Sequence, residues 1–222
     1  MNTEPSHQTV AILGNGIVGT TIAKGFAELG YQVIFGTRDV HSAKTRAALE
    51  AVPGARAASP AEAARAAGIA VLAVPWSGLE AAIFKAGPEH LAGKIVIDTS
   101  NPLDFSGELP TLAIPATDSA GELVQRLLPR SHVVKAFNIV TAAHMLHPHL
   151  PDGTPDMLIA GDDAPAKQRV SEILEGFGWR TPIDVGPIGA SRLLENLALL
   201  WVGYGARNDH WTHAFSLLGR KA

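Results

Sequence analysis

Short apolar runs separated by helical stretches recur along almost the whole chain, and this alternation limits the folds open to it. Most of the runs are consecutive Val, Ile, Leu and Ala residues, which is typical of parallel strands covered on both faces. The alternation therefore predicts an α/β doubly wound, mostly parallel sheet built from right-handed βαβ units. The predicted strands are Thr9–Leu13, Tyr31–Phe35, Gly68–Val74, Lys94–Ile97, His132–Phe137, Asp156–Ala160 and Arg180–Val185.

Three predicted helix starts share one pattern, a serine followed three residues later by a glutamate. In such a capping box the serine hydroxyl accepts the backbone N–H of the glutamate, and the carboxylate accepts the N–H of the serine. We therefore expect helices to begin directly after Ser59, Ser77 and Ser119.

A glycine-rich turn, Gly14-Asn15-Gly16-Ile17-Val18-Gly19, joins the first predicted strand to a helix over Ile17–Leu29. In this strand–turn–helix context G-x-G-x-x-G is the dinucleotide-binding fingerprint of Rossmann folds. Gly14 permits the tight turn, Gly16 lets the backbone approach a pyrophosphate, and Gly19 lets helix and strand pack closely. The alternative is a glycine-rich turn without a ligand.

The residues after the second predicted strand favour NADP(H) over NAD(H). NAD enzymes usually carry an acidic residue there for the ribose 2′-hydroxyl, whereas this chain has Thr37 and Arg38, with Lys44 following. A hydroxyl and a guanidinium suit a 2′-phosphate. Asp39 would repel that phosphate, and we interpret it as the cap of the next helix. The alternative for Arg38 is an arginine of a solvated loop.

Composition and charge exclude several classes of function. The 222-residue chain has no cysteine, which excludes thiolate nucleophiles, disulfides and Cys-ligated metals. Its net charge of −3 gives no basic face for nucleic acid. The segment Met1–Gln8 is unlike a signal peptide, and no run approaches the roughly 20 apolar residues of a membrane span. We expect a cytoplasmic protein without nucleic-acid or membrane partners.

The histidines do not form a recognisable metal motif. His144, His147 and His149 lie close together, and His210 and His213 lie near the end of the chain. None of them has the helical i, i+4 spacing with a carboxylate that zinc proteases show. We therefore predict no metal site and interpret these histidines as loop residues.

The chain is predicted to comprise a Rossmann domain, residues 1–145, and a small C-terminal α/β lobe, residues 146–222. One continuous domain is the alternative. The segment Ser191–Tyr204 is apolar nearly all round, as in a helix buried in a core or at a subunit interface. From it we predict a homodimer.

Several segments together resemble one family, the NADPH-dependent reductases of the deazaflavin coenzyme F420, and are similar to the cytoplasmic reductase domains of the STEAP metalloreductases. The resemblance extends from about Val10 to Tyr204. It is carried by Leu13–Gly19, Gly36–Asp39, Ala73–Trp76, Gly93–Asp98, Ser100–Leu103, Val133–Asn138, Gly161–Asp163 and Asp184–Pro187.

The resemblance implies hydride exchange between NADP(H) and a second, small-molecule redox cofactor, with a C-terminal lobe over the place where the two meet. It also implies a homodimer. Matching positions imply four groups of cofactor-binding residues. The pyrophosphate would be held by Gly14, Asn15, Gly16, Ile17, Val18 and Gly19, and the 2′-phosphate by Thr37 and Arg38. The cofactor would pass along Val74, Pro75 and Trp76, and its nicotinamide would lie near Asn101 and Pro102.

Hydride transfer between two bound cofactors needs alignment more than acid–base residues, so no catalytic dyad is expected. Lys135 and Asn138 end a predicted strand and are candidates for polar groups of the pocket. The alternatives are a salt bridge for Lys135 and backbone capping for Asn138. Trp76 could stack on a cofactor ring or pack as a large apolar group.

The acceptor stays open at this point. Archaeal members of the family usually have a histidine where this chain has Asn138. Coenzyme F420 is the leading acceptor, and flavin, ferric or quinone acceptors are alternatives, as is a non-catalytic NADP(H) sensor.

Overall fold

The computed structural model describes residues 8–219. Residues 1–7, which make up most of the segment compared above with a signal peptide, lie outside the described residues. The helices are α1 (Ile17–Glu28), α2 (Ala43–Ala51), α3 (Pro60–Ala66), α4 (Leu79–Ala86), α5 (Pro88–Leu91), α6 (Ala120–Leu127), α7 (Ala164–Gly176) and α8 (Ser191–Asn208). Three 3₁₀ turns lie at Trp76–Gly78, Ala142–His144 and Ile188–Ala190.

Eight strands form one sheet, in the order β10-β9-β8-β5-β4-β1-β2-β3, and two more form a hairpin. All seven predicted strands are found, Thr9–Leu13 with the predicted bounds and the other six with shifted or shortened bounds. The short β3 and the hairpin β6–β7 were not predicted. The strands are β1 (Thr9–Leu13), β2 (Gln32–Gly36), β3 (Arg56–Ala58), β4 (Ile69–Leu72), β5 (Ile95–Asp98), β6 (Leu103–Asp104), β7 (Thr111–Leu112), β8 (His132–Lys135), β9 (Leu158–Gly161) and β10 (Ile183–Asp184).

The sheet confirms the predicted doubly wound, mostly parallel α/β fold, and two of its strands at one edge run antiparallel to the others. Six neighbouring strands of this sheet, β3, β2, β1, β4, β5 and β8, pair in parallel. The next strand, β9, pairs antiparallel with β8. No α-helix lies between β8 and β9, so the chain turns back and does not cross over. A βαβ unit through α7 then makes β10 parallel to β9. The last two strands are therefore antiparallel to the rest.

The apolar core lies on both faces of the sheet. One cluster joins the first and last parts of the chain, since Phe26 of α1 meets Phe177 edge to face with ring centroids 5.4 Å apart. The other cluster packs α3, α4 and α6 on the opposite face. Strands from both sides of residue 145 belong to one sheet. The division into residues 1–145 and 146–222 stays a prediction.

The predicted capping boxes are found in one case of three. Ser59 and Glu62 make the complete reciprocal pair at the start of α3. Ser119 caps α6 through its hydroxyl, but its own N–H is bonded to Asp118 Oδ1 at 2.8 Å. The prediction at Ser77 is wrong, because this residue lies inside a 3₁₀ turn and α4 begins without a side-chain cap.

A buried ion triad connects the centre of the sheet to α8. The Lys135 ammonium lies 2.9 Å from Asp98 Oδ2 and 2.8 Å from Glu195 Oε1, and all three side chains are fully buried. The Glu195 carboxylate also accepts the backbone N–H groups of Ala120 and Gly121 at 3.0 and 3.1 Å. The positive end of the α6 dipole thus offsets the second negative charge of the triad.

Burial and charge act in opposite directions on the two ends of this triad. Burial alone would lower the pKa of Lys135, but the carboxylates of Asp98 and Glu195 outweigh it and raise that pKa. Burial raises the pKa of Glu195, against the lowering influence of Lys135. The core therefore stabilises the charged form of Lys135.

We predict that Lys135→Met lowers the free energy of unfolding by about 3–5 kcal/mol, because it leaves two carboxylates together in the core. Urea unfolding at neutral pH measures this value. The matched control is Arg126→Met, which breaks the exposed ion pair with Asp118 and should cost about 1 kcal/mol or less. Equal losses in the two variants would contradict a special role of the triad.

Candidate functional site

A cavity of about 870 Å³ opens at the carboxyl ends of the central strands β1, β2, β4 and β5. This is the edge of a doubly wound sheet where ligands bind. Its lining includes twelve of the fourteen residues predicted to bind the cofactor. These are Gly14, Asn15, Gly16, Ile17, Val18, Thr37, Arg38, Lys44, Val74, Pro75, Trp76 and Asn101.

The three glycines of the first turn differ in what surrounds them. Gly14 has a φ of +121°, and a Cβ there would lie 2.3 Å from the Ala73 carbonyl oxygen. A Cβ on Gly19 would lie 2.2 Å from the Gly14 carbonyl oxygen, so this residue allows α1 to pack on β1. A Cβ on Gly16 would meet only Lys44 Nζ, at 3.8 Å. Gly16 therefore borders open space inside the cavity.

The start of α1 is suited to an anion. Gly16 is the N-cap residue and supplies no side-chain acceptor to the first N–H groups of the helix. Backbone N–H groups and the positive end of the helix dipole thus face the cavity. A phosphate or pyrophosphate fits this position, because Gly16 leaves room for it.

Two cations stand on one side of this turn. Arg38 and Lys44 are exposed, line the cavity, and form no hydrogen bond or ion pair with residues 8–219. Their chain neighbours Thr45 and Thr37 are held by hydrogen bonds. The Thr45 hydroxyl accepts a hydrogen bond from Asn15 Nδ2 at a distance of 2.9 Å, and it lies 3.4 Å from the Thr37 hydroxyl. The two cations are therefore available to an anionic ligand, while hydrogen bonds hold the residues next to them in place.

Asp39 does not cap α2, contrary to the sequence prediction. Ser42 is the N-cap, and its hydroxyl accepts the Thr45 N–H at 3.2 Å. The Asp39 carboxylate instead accepts the backbone N–H of His41 at 2.8 Å. This hydrogen bond stabilises the turn directly after Arg38, which lines the cavity.

The opposite wall follows β4 and β5. The part of this wall that follows β4 consists of Val74, Pro75 and the half-buried Trp76. The 3₁₀ turn that begins at Trp76 and then α4 form the rest of that part. Trp76 lines the cavity and packs against the core below α4, so both roles considered for it are compatible with its place. The cavity also includes eleven residues to which the sequence analysis gave no cofactor-binding role, which are Leu13, Gly36, Pro60, Ala73, Ser77, Gly78, Ala81, Ala82, Lys85, Thr99 and Ser100.

Some of these missed residues had a signal in the sequence. Thr99 and Ser100 lie between a predicted strand end and Asn101, and two small polar residues at that edge suit a ligand contact. Ala81, Ala82 and Lys85 had none, because only the packing of α4 beside the cavity shows which helix face points inward.

Asn138 does not line the cavity, but it forms hydrogen bonds with Asn101, which does. Asn138 Nδ2 donates to Asn101 Oδ1 and to the Leu194 carbonyl oxygen, both at 3.0 Å. Asn101 Nδ2 donates back to the Asn138 carbonyl oxygen at 2.7 Å. The Asn101 amide is thus fixed at both ends.

Lys135 and Asn138 do not line the cavity, and a direct contact of either with a ligand stays a prediction. Lys135 forms the buried salt bridges that were the alternative for it, because Asp98 and Glu195 draw its ammonium into the core. Gly19 and Pro102 also lie outside the lining, and their contact with a ligand stays a prediction.

The histidines that the sequence analysis interpreted as loop residues contact different parts of the structure. His147 Nε2 lies 3.0 Å from Glu28 Oε2, and the ring of His213 stacks on Trp201. Among residues 8–219, no three His, Cys, Asp or Glu side chains come together as a set of metal ligands. In the same part of the chain, no helix combines the length and apolar character needed to cross a membrane.

Comparison with known proteins agrees with the architecture of the site. A family profile described as "NADP oxidoreductase coenzyme F420-dependent" matches residues 9–102, which contain the whole cavity lining. A crystal structure of a protein from Arthrobacter sp. FB24 is 35% identical, superposes with a TM-score of 0.87, and covers 94% of this chain and 98% of that one.

Two curated relatives differ in how much of their length this chain spans. The rat metalloreductase STEAP3 is 37% identical over 112 residues, which is 50% of this chain and only 21% of that protein. The F420-dependent NADP reductase of Methanothermobacter marburgensis is 31% identical over 210 residues, covering 90% of this chain and 93% of that protein. The chain therefore belongs to the family of coenzyme F420-dependent NADP oxidoreductases.

Proposed function

We propose that this protein binds NADP(H) in the cavity and exchanges a hydride between it and the deazaflavin coenzyme F420. One observation carries the proposal. The open backbone at Gly16, at the start of α1, faces the same cavity as the unpaired cations Arg38 and Lys44. A pyrophosphate and a 2′-phosphate are the two anions of NADP(H), and the cavity offers a separate site for each.

The residues of this chain bind and orient, and they supply no acid–base pair. The turn around Gly16 holds the pyrophosphate, while Thr37, Arg38 and Lys44 hold the 2′-phosphate. The bound nicotinamide supplies the hydride chemistry. Asn101, fixed by Asn138, borders the end of the cavity where that ring lies in our proposal.

The acceptor is proposed from family membership together with one feature of the surface. Ile17 lines the cavity at the start of α1, and its aliphatic side chain is 79% exposed. An exposed apolar side chain on the cavity wall offers a surface for a second flat ring. The relative from Methanothermobacter marburgensis is named for coenzyme F420.

Gly16→Ala and Gly19→Ala separate ligand binding from folding. We predict that Gly16→Ala weakens NADPH binding at least about 10-fold, because its methyl group occupies space needed by the pyrophosphate. Its unfolding free energy should change by about 1 kcal/mol or less. Gly19→Ala should lose about 1–3 kcal/mol of stability, since its Cβ meets backbone. Calorimetric titration and urea unfolding measure the two effects, and the reverse pattern would contradict the assignment.

Arg38→Ala tests the 2′-phosphate site. We predict that it weakens NADPH about 10- to 100-fold, the loss expected for hydrogen bonds to a charged group, and leaves NADH nearly unchanged. Calorimetric titration with both nucleotides measures this. Arg207→Ala, on α8 and outside the cavity lining, is the control and should change neither affinity. Equal weakening of NADPH and NADH would exclude a 2′-phosphate role for Arg38.

An acceptor panel tests the proposed reaction. We predict NADPH oxidation, followed by the loss of its absorbance, with coenzyme F420 and much slower oxidation with FMN, FAD, ferric chelates or quinones. Faster turnover with one of these others would move the activity to that acceptor. Tight NADPH binding without turnover on any of them would contradict an F420 reductase and favour a redox sensor.

We also propose a homodimer through the outer face of α8. Leu194, Ala198 and Trp201 are buried in the core, as expected for an apolar helix, but a second stripe on the same helix is exposed. This stripe contains Leu193, Leu200 and Tyr204. An exposed apolar stripe on a helix of this length is typical of a subunit interface.

Light scattering at micromolar concentration should therefore give twice the mass of one chain. Leu200→Asp should shift the protein toward the monomer, because it places a charge in the proposed interface. Phe84→Asp changes an equally exposed apolar residue on α4 and serves as the control. A monomeric wild-type protein would contradict the proposal.

A further inference from the structure

One buried hydroxyl on the cavity wall has no partner. Ser100 is only 4% exposed, and its Oγ forms no hydrogen bond within residues 8–219. Leaving a buried polar atom unpaired costs free energy, so an unpaired hydroxyl in a ligand cavity points to a ligand.

The backbone of Ser100 is held on both sides. Its N–H donates to Asp98 Oδ1 at 2.9 Å, and its carbonyl oxygen accepts from Lys135 Nζ at 2.5 Å. Both partners belong to the buried triad. The backbone of Ser100 is therefore fixed at the cavity wall, and the hydroxyl is left without a partner among residues 8–219.

The neighbouring residue supplies a second fixed polar group. Asn101 also lines the cavity, and its amide is bonded to Asn138 through both Nδ2 and Oδ1. Each of these Asn101 atoms keeps capacity for one more hydrogen bond. The two residues together offer donors and acceptors at one point of the wall, next to strand β5.

We propose that the Ser100 hydroxyl, with the Asn101 amide beside it, binds the carboxamide of the nicotinamide ring. A primary carboxamide carries an acceptor oxygen and an N–H donor on one carbon, which is the complement of this pair. Fixing the carboxamide sets the rotation of the ring and so the face that it presents to the acceptor. This inference rests on the proposed NADP(H) binding.

The test is Ser100→Ala, titrated calorimetrically with NADP⁺ and with 2′,5′-ADP, which lacks the nicotinamide. We expect the NADP⁺ dissociation constant to rise about 3- to 10-fold, the loss of one neutral hydrogen bond, and the 2′,5′-ADP constant to stay unchanged. Thermal stability should not fall, because the deleted hydroxyl has no protein partner. Wild-type protein should also bind the 3-acetylpyridine analogue of NADP⁺, which lacks the amide N–H, more weakly than NADP⁺.

Ser191→Ala is the matched control. Ser191 is also buried with an unpaired Oγ, but it packs against Gly121 between α6 and α8, outside the cavity lining. Its removal should leave NADP⁺ affinity unchanged.

Three results would overturn the proposal. They are unchanged NADP⁺ affinity in Ser100→Ala, equal weakening of 2′,5′-ADP, and a rise in the acceptor KM alone, which would assign the hydroxyl to the acceptor ring. Wild-type protein that binds neither NADP⁺ nor 2′,5′-ADP would instead refute the NADP(H) site itself.

Discussion

The contact on which the site most depends is the ion triad of Lys135, Asp98 and Glu195. Three fully buried ionisable side chains are costly to desolvate, and hydrogen-bonding partners of opposite charge have to offset that cost. Those partners come from β5, β8, α8 and the start of α6. Because Lys135 also binds the Ser100 carbonyl oxygen, the same contacts that join α8 to the sheet fix the backbone of the cavity wall.

Local chemistry explains which parts could be predicted from the sequence. The turn from Gly14 to Gly19 needs glycine at both of these positions, because a Cβ at either would lie too close to backbone, so its residue pattern predicts its shape. Lys135 and Asn138 depend on Glu195 and Leu194 of a distant helix, which no local pattern reveals. Their position at a strand end indicated the right edge of the sheet, but side-chain partners turned both away from the cavity.

The direction of β9 was missed for a similar reason. Its composition fits a parallel strand, and continuous apolar residues do not distinguish the two directions at a covered edge. The signal was the absence of a helical pattern before it, where His147–Pro155 is rich in proline. Parallel neighbours need a crossover connection, which is usually a helix, so a connection without a helical pattern favours an antiparallel return. The connection therefore decides strand direction, and strand composition does not.

The two sides of the site differ in how firmly the fold determines them. The proposed NADP(H) side consists of backbone turns, a helix start and cations next to hydrogen-bonded residues, and the family profile covers all of it. The proposed acceptor side begins at Ile17, whose side chain is largely exposed and makes no polar contact. Apolar surface selects weakly between flat rings, since it offers no directional bond. Discrimination between acceptors must then come from how the nicotinamide is oriented, which in our proposal depends on Ser100 and, through it, on the triad.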